Sequence, residues 1–525
     1  MNSDNKLEEP STTDNSADSN TPDYDLFVIG GGINGAGITR DAVGRGYSVY
    51  LCEADDLASG TSSQSTKLIH GGLRYLEHYE FKLVREALTE REILWRVAPH
   101  IIHPLRFVLP YHKGLRPWWL LSIGMFIYDH LGGRKKLASS NAIGLSHSVE
   151  GACLKQDFEK GLEYSDCWVN DSRLVVLNVM DAHEYGATIK TQHKCVGAER
   201  HDDYWTISVE NLLTRKIEKV TAKVLINAAG PWVDDIINIT QDKSKKPAKN
   251  IRKVQGSHIV VPKLYDHDKC YIFQNEDDRI TFAIPYHEDY TYLGTTDYEI
   301  DGDPRDAKIS DEEIEYLCEA ANDYFKTEIT PDDVVSTYAG VRALYNDGAS
   351  KAQEATRDYV LQIDEESETK APMVNIFGGK ITTYRKLAES MMEIVNDLFD
   401  KKNNHWTENA HLPGGDFRVE DQQKLHALFK QDYGFLPKGV ISRLLRNYGS
   451  KAALILGDAN SEDDLGKNFG HGLYQKEVEH LIENEFVLKV DDILLRRTKL
   501  GLKFNKAERD ALDQWLISFF KKKNN

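Results

Sequence analysis

Asp25–Glu53 reads DLFVIGGGINGAGITRDAVGRGYSVYLCE, and the fold is decided in these residues. Leu26–Ile29 is a run of four apolar residues that stops at glycine, the pattern of a buried strand. Ile33–Arg45 reads as a helix closed by Gly46, and Ser48–Glu53 as a second strand, so the segment is a βαβ unit of about thirty residues. Gly30, Gly32 and Gly35 form G-x-G-x-x-G between strand and helix. The first glycine permits a tight turn, the second a close approach of backbone to a pyrophosphate, and the third close packing of helix on strand. A diphosphate then sits at the helix N-terminus, where free N–H groups and the helix dipole favour an anion. Gly31 and Asn34 belong to the same turn. Glu53 ends the second strand, where a carboxylate accepts hydrogen bonds from ribose hydroxyls and disfavours a 2′-phosphate. With strand, helix, second strand and terminal acid all in place, the expectation is a bound dinucleotide.

The chain has 525 residues, 41% of them hydrophobic and 28% charged, enough for two or three domains with a large core. Lys and Arg number 65 against 83 Asp and Glu, a formal net charge of −18. That balance argues against a nucleic-acid partner and against adsorption of the whole surface to anionic lipid. Residues 1–23 carry Asp4, Glu8, Glu9, Asp14, Asp18 and Asp23 against Lys6 alone, and read as a disordered polar tail without a secretory signal. Cys52, Cys153, Cys167, Cys195, Cys270 and Cys318 show no CxxC or zinc-like spacing, so neither a metal site nor a disulfide framework is expected. No run reaches the ~18–20 apolar residues of a membrane span. The expected location is cytoplasmic.

Three further segments choose between FAD and a nicotinamide cofactor. Ser62–Arg74, Asn227–Trp232 (NAAGPW) and Phe377–Tyr384 (FGGKITTY) each set small and polar residues beside an expected strand. An extended flavin dinucleotide needs several such distant segments, and together they favour FAD. Strands are expected at Val224–Gly230, Ser257–Val261, Tyr292–Thr296 and Val374–Lys380. Helices are expected at Phe81–Val97, with an ion pair Glu92/Arg96 at i,i+4, and over 382–400. HLPGGD (His411–Asp416) reads as a linker to a helical domain over 411–525.

IGGGINGAGITRDAVGRG (Ile29–Gly46), KLIHGGLRYLEHYEF (Lys67–Phe81) and FGGKITTYRKLA (Phe377–Ala388) resemble the FAD-dependent glycerol-3-phosphate dehydrogenases, the bacterial aerobic respiratory, quinone-linked type above all. EYSDCW (Glu163–Trp168), GSHIVVP (Gly256–Pro262), GTTD (Gly294–Asp297) and DDILLRRTKLG (Asp491–Gly501) fit as well. The resemblance runs from about residue 24 to the C-terminus. It implies an α/β (α+β) chain. A D-amino-acid-oxidase-like, Rossmann-type FAD domain over 24–410 would be interleaved with an antiparallel-sheet substrate domain, roughly 76–150 and 240–345, and followed by a helical cap. It implies oxidation of sn-glycerol 3-phosphate to dihydroxyacetone phosphate, with electrons passing through FAD to membrane quinone.

The substrate phosphate is a dianion that asks for convergent cations, and arginine binds phosphate bidentately. Arg74, in HGGLRY beside Tyr75, and Arg342, in YAGVRAL, stand at family-like positions, and Lys380 of GGK is matched to substrate oxygen or to the reduced flavin. His258 is expected as acceptor of the C2 hydroxyl proton, with His70 and water as alternatives. By family position the cofactor lies along Thr61, Ser62, Ser65, Thr66, Leu68 and His70, with Val196 at adenine. Asn227, Ala228, Gly230 and Gly379 complete the set, and Thr382 and Thr383 both cap a helix and face the ribityl chain.

Lys113–Lys136 (KGLRPWWLLSIGMFIYDHLGGRKK) is an apolar stretch with aromatic ends, bracketed by Lys113, Arg116, Arg134, Lys135 and Lys136. It is too short to span a bilayer and suits a segment lying in the interface, on the inner face of the cell membrane. WLISFFKKK (Trp515–Lys523) has the same character. A buried core helix and a docked terminal helix are the alternatives, and a homodimer is admitted. Other readings of the whole are an oxygen-reducing glycerol-3-phosphate oxidase, an FAD enzyme acting on amines or 2-hydroxy acids, and a non-catalytic dinucleotide sensor.

Overall fold

The apolar run is the strand β1 (Tyr24–Ile29), the glycines open the helix α1 (Ile33–Gly44), and the next apolar run is the strand β2 (Val49–Cys52). The computed structural model describes residues 21–133, 136–241, 246–275, 277, 279–346, 348, 358–364 and 368–523. Most of the expected polar tail, and Arg134 and Lys135 of the basic bracket, lie outside the described residues. β1 occupies the middle of an eight-stranded sheet, flanked in parallel by β2 and by Ile217–Asn227. Met373–Phe377 and Thr188–Lys190 extend it in parallel on either side. Leu26, Phe27 and Val28 have no exposed surface, as a strand covered on both faces requires. α1 packs into the same core as the helices Asp171–Glu184 and Tyr384–Leu398, where Ala36, Leu174, Leu387 and Met391 meet.

A second sheet of ten strands is built mainly from antiparallel pairs. Ile251–Pro262 pairs with Ser336–Tyr345 along its length and with Tyr290–Gly294 on its other side. The expected strand Ser257–Val261 is the middle of this longer one. The expected Tyr292–Thr296 ends at Gly294, so Thr295 and Thr296 fall in the connection that follows. Ile102–Pro110 pairs with Lys160–Val169, which also takes up the short strand Leu68–Ile69. The helix Phe81–Val97 forms as expected, but its ion pairs do not follow the i,i+4 pattern. Arg96 reaches Glu408 at 3.6 Å across an exposed surface, while Glu92 meets Arg91.

After Phe377 the described residues contain helices and turns but no strand. Leu444, Tyr448, Leu473, Val478 and Ile493 form a separate apolar core there. This helical part is fastened to the dinucleotide-binding part by buried charge. Arg497, fully buried, gives Asp56 two hydrogen bonds of 2.7 Å, and Arg173 pairs with Glu485 with both side chains out of solvent.

The helix Trp118–Leu131 turns Met125 and Tyr128 inward and leaves Trp119, Ile123 and Phe126 about half to two-thirds exposed. Arg116 pairs with Glu77 and Lys136 with Glu420. The terminal helix Lys506–Lys523 buries Leu512 and Leu516, with Trp515 against Phe469.

Burial would raise the Asp56 carboxyl, but Arg497 and Arg496 outweigh it and hold the group below its ordinary value. A carboxyl depressed in the folded state contributes stability above its unfolded pKa of about 4 and loses it as pH falls through the folded value. Arg497→Met removes two hydrogen bonds from that buried carboxylate and leaves it Arg496 alone, a loss of about 3 kcal/mol, the lower end for breaking a buried pair. Chemical denaturation at pH 7 should show a loss of that size, shrinking in acid. A midpoint equal to wild type would contradict it.

Candidate active site

An elongated cavity of about 770 Å³ runs across the C-terminal ends of the parallel strands and under the antiparallel sheet. The Gly30 turn forms part of its wall. Gly30 has φ +111°, and a Cβ there would stand 2.5 Å from the Ala228 carbonyl oxygen; one at Gly35 would stand 2.0 Å from Gly30 O. Only glycine leaves the main chain bare at the start of α1, where an anionic group is favoured. Ser62 Oγ accepts from the Ile33 N–H at 3.0 Å, bringing the loop after β2 to the same helix end.

Glu53 accepts from the N–H groups of Gly31 and Asp55, each at 2.7 Å. Burial pushes its carboxyl up to about 7 against the pull of those two donors. Cys195 and Val196 line the cavity beyond Glu53. This end has the shape and the polar edge for an adenosine.

At the other end Tyr75, His70, Phe282, His258, Arg342 and Lys380 share the wall. Lys380 Nζ lies 3.9 Å above the centre of the Tyr75 ring. Arg342 Nη1 is 2.7 Å from Asp297 Oδ1, and Nη2 donates to Thr296 O at 3.0 Å. His258 is buried, its Nε2 3.1 Å from Thr66 Oγ1 and its ring stacked on Tyr292 at 4.6 Å. Burial, then Lys67 and Arg342, hold its pKa well below the usual histidine value, so the ring is neutral. His258 Nδ1 has no hydrogen-bond partner among the described residues. The His70 pKa is lowered by burial in the same way, and its backbone N–H donates to Thr382 Oγ1 at 3.3 Å.

The cavity wall brings together Gly30, Gly32, Asn34, Glu53, Thr61, Ser62, Ser65, Thr66, Leu68, His70, Val196, Ala228, Gly230, Gly379, Lys380 and Thr382 from the expected cofactor set. Gly31, Gly35, Asn227 and Thr383 stand behind it. Gly31 holds Glu53 in place, and Gly35 packs on the Gly30 carbonyl. Asn227 turns its amide to Val233 O and to Asn375 Oδ1. Thr383 begins the helix Tyr384–Leu398 but its side chain makes no capping hydrogen bond, so the expected cap is not formed. Of the two arginines chosen for phosphate, Arg342 is on the wall, whereas Arg74 is half-buried and does not line it, although its neighbour Tyr75 does.

Gly256, Phe282, Thr295 and Ile236 also line the cavity and were not expected. Gly256 and Thr295 lie in the GSHIVVP and GTTD blocks, whereas Phe282, in the strand Ile280–Tyr286, and Ile236, in the helix Val233–Thr240, carry no such signal. Trp232, at the end of NAAGPW, lines the cavity too and was likewise not expected.

The FAD dependent oxidoreductase family matches residues 25–367, and the C-terminal domain of alpha-glycerophosphate oxidase matches 405–522. A glycerol-3-phosphate dehydrogenase of Pseudomonas aeruginosa is 47% identical over 498 residues, 94% of this chain and 95% of its own length. The chain belongs to the FAD-dependent glycerol-3-phosphate dehydrogenase family. A D-erythritol 1-phosphate dehydrogenase of Brucella abortus is 45% identical over 492 residues, 94% of this chain and 97% of its own. Among solved structures, a glycerol-3-phosphate dehydrogenase of Bacillus halodurans complexed with FAD superimposes with a TM-score of 0.71 at 25% identity, covering 94% of each chain.

The cofactor of this family of enzymes is FAD, and the cavity fits it: a bare glycine turn for the diphosphate, a buried carboxylate beside it, and length enough for an extended dinucleotide. Glu53→Ala removes an acceptor that also holds the Gly31 turn. FAD affinity should fall at least tenfold, about 1.4 kcal/mol. Titration of the apoprotein by flavin fluorescence measures this, and unchanged affinity would take Glu53 out of the site.

Proposed function

We propose that this enzyme oxidises sn-glycerol 3-phosphate to dihydroxyacetone phosphate and delivers the electrons to a membrane quinone. The observation that carries the reading is the convergence of Arg342, Lys380 and a neutral His258 at one end of the FAD cavity. FAD held in the cavity would supply the acceptor for the C2 hydride. Arg342 presents a planar fork suited to a phosphate dianion, with Asp297 and Thr296 O fixing its plane. Lys380, held over Tyr75, adds a second positive charge for substrate oxygen. His258 takes the proton of the C2 hydroxyl as the hydride leaves the same carbon, and the Thr66 contact at Nε2 orients the ring.

The family resemblance of the flanking segments supports glycerol 3-phosphate as substrate. The equal likeness to a D-erythritol 1-phosphate dehydrogenase supports a second reading, a longer polyol phosphate bound by the same cation set. The match to the C-terminal domain of alpha-glycerophosphate oxidase keeps oxygen as a rival acceptor. Anaerobic addition of each phosphate to the yellow protein tests the substrate: glycerol 3-phosphate should bleach the flavin fastest. Reoxidation by a quinone analogue should then outrun that by air, and prompt peroxide formation in air would assign the oxidase reaction instead.

His258→Ala should slow flavin reduction at least a hundredfold while the substrate Kd changes less than about threefold. A neutral base works above its pKa and fails as pH falls through it. Because the His258 pKa is depressed, reduction should stay level from pH 8 to 6.5 and fall only in more acid solution. A fall centred near 7, or near-normal reduction by the variant, would remove His258 from the role.

The helix Trp118–Leu131 supports placement of the enzyme on the inner face of the cell membrane. Its outer face presents Trp119, Leu120, Ile123 and Phe126 next to Lys113 and Arg116. Among the described residues no helix is long and apolar enough to cross a bilayer. Trp118 is half-buried against Tyr111, so the exposed Trp119, Ile123 and Phe126 are the residues to change. Their joint replacement by Gln should cut sedimentation with anionic liposomes by at least tenfold; a folded variant that still sediments would defeat this placement. The terminal helix, docked through Leu512 and Leu516, is the weaker candidate surface.

A further inference from the structure

The turn Ser63–Lys67 carries the cavity-lining residues Gln64, Ser65 and Thr66, and it ends in a lysine all but closed off from water. Lys67 has φ +60°, a left-handed conformation that a non-glycine residue adopts only when its surroundings hold it there. Its ammonium donates to Ser63 O at 3.1 Å and to Asp171 Oδ2 at 2.9 Å, and lies over the rings of Tyr338 and Tyr292 at 4.9 and 5.3 Å. Ser65 Oγ donates to the same Asp171 oxygen at 2.9 Å and accepts from the Lys67 N–H at 3.0 Å. The other oxygen, Asp171 Oδ1, is taken at 3.0 Å by Lys499, which belongs to the helical C-terminal part.

Asp171 is therefore a fully buried carboxylate shared by two ammonium groups from opposite ends of the chain. Burial would raise it, but Lys499 and Lys67 outweigh that and keep it ionised. Burial in turn brings Lys67 down to about 8, with Asp171 opposing and Lys499 adding to the fall. One residue further on, Thr66 meets His258. The contacts form an unbroken line from Lys499 through Asp171 and Ser65 to Thr66 and the histidine ring.

We propose that Lys499 is a positioning residue for the oxidation: from the C-terminal domain it fixes Asp171, and through Asp171 the Ser65–Lys67 turn that orients Thr66 against His258. Lys499 touches neither substrate nor cofactor; it acts through the carboxylate. The inference deepens the reading of His258 as proton acceptor and rests on it for its kinetic consequence.

Loss of the Lys499 charge has a definite electrostatic sign. The groups that face His258 are Lys67 from the turn, Asp171 from the helix start, Arg342 with its partner Asp297, and the neutral phenols Tyr292 and Tyr338 from the flanking strands. With Lys499 neutral, Asp171 is offset by one lysine instead of two, its field at the imidazole grows, and His258 protonates at higher pH.

Lys499→Gln keeps a donor for Asp171 and removes the charge; Lys499→Arg keeps the charge. Both are made in the full-length holoenzyme, with Lys451→Met, which cuts only a surface pair with Glu184, as the control. Flavin reduction by glycerol 3-phosphate in Lys499→Gln should slow at least tenfold with substrate Kd changed less than threefold, and its acid limb should move to higher pH. Lys499→Arg should recover most of the rate, and Lys451→Met should match wild type. A substrate-independent reading comes from NMR of ¹³C-histidine-labelled holoenzyme, where the His258 titration should move up by roughly one unit in Lys499→Gln.

A reduction rate within twofold of wild type and an unmoved His258 titration would overturn the proposal. So would a rate loss fully explained by lost FAD. Should Lys499→Gln fail to fold, Ser65→Ala removes the hydroxyl bond from the turn to Asp171, leaving that of Lys67, without touching the domain contact; a tenfold slower reduction with FAD retained supports the proposal, and a rate within twofold overturns it. If wild type is not bleached by any polyol phosphate, the functional reading falls, and the His258 titration still decides whether Lys499 governs the ring.

Discussion

Asp171, with no surface in contact with water, opens the helix Asp171–Glu184 and gathers a hydrogen bond or ion pair from Ser65, Lys67 and Lys499. A carboxylate in such a place is unfavourable unless every one of its oxygens is met, and meeting them draws three distant segments to one point. The same helix start also receives the C-terminal part through the Ser172 hydroxyl on Arg496 O and through Arg173 on Asn447 O and Glu485. These few buried charges tie together the dinucleotide-binding part, the loop along the cavity and the helical part.

The two sheets divide the chemistry between them. The parallel sheet supplies glycine turns and one acid at its strand ends, which suit a long, anionic, largely backbone-bound cofactor. The antiparallel sheet supplies His258 and Arg342 on neighbouring strands, two side chains whose spacing is set by register: Val254 stands opposite Arg342 and His258 opposite Tyr338. Strand pairing holds such side chains more firmly than a loop does: His258 lies between Gly294 and Tyr338, and Arg342, paired on one side, is held as well by Asp297 and Thr296.

The first βαβ unit was legible because its physics is local. A four-residue apolar run, glycines at fixed spacing and a terminal acid each act within thirty residues, and the strands and helix fall where those residues place them. His258, Lys380 and most of the flavin loop were reached only through whole blocks of resemblance. What the sequence could not give was side-chain pairing across the fold. Arg96 pairs with Glu408 and not with Glu92, and Asn227 spends its amide on Asn375, because partners hundreds of residues away offered better geometry. The cluster around Asp171 was invisible for the same reason: Lys67 and Lys499 each lay inside a quoted block, and nothing in either block points to the other.

Arg497 and Asp56 are 441 residues apart in the chain, and Lys499 and Asp171 are 328 apart. Contacts of such separation close late, after the entropy of a very long loop has been surrendered. The loop along the cavity therefore gains its last anchors only when the helical part that carries Lys499 has docked. The slowest contacts to close are thus the ones that set the loop beside the cavity.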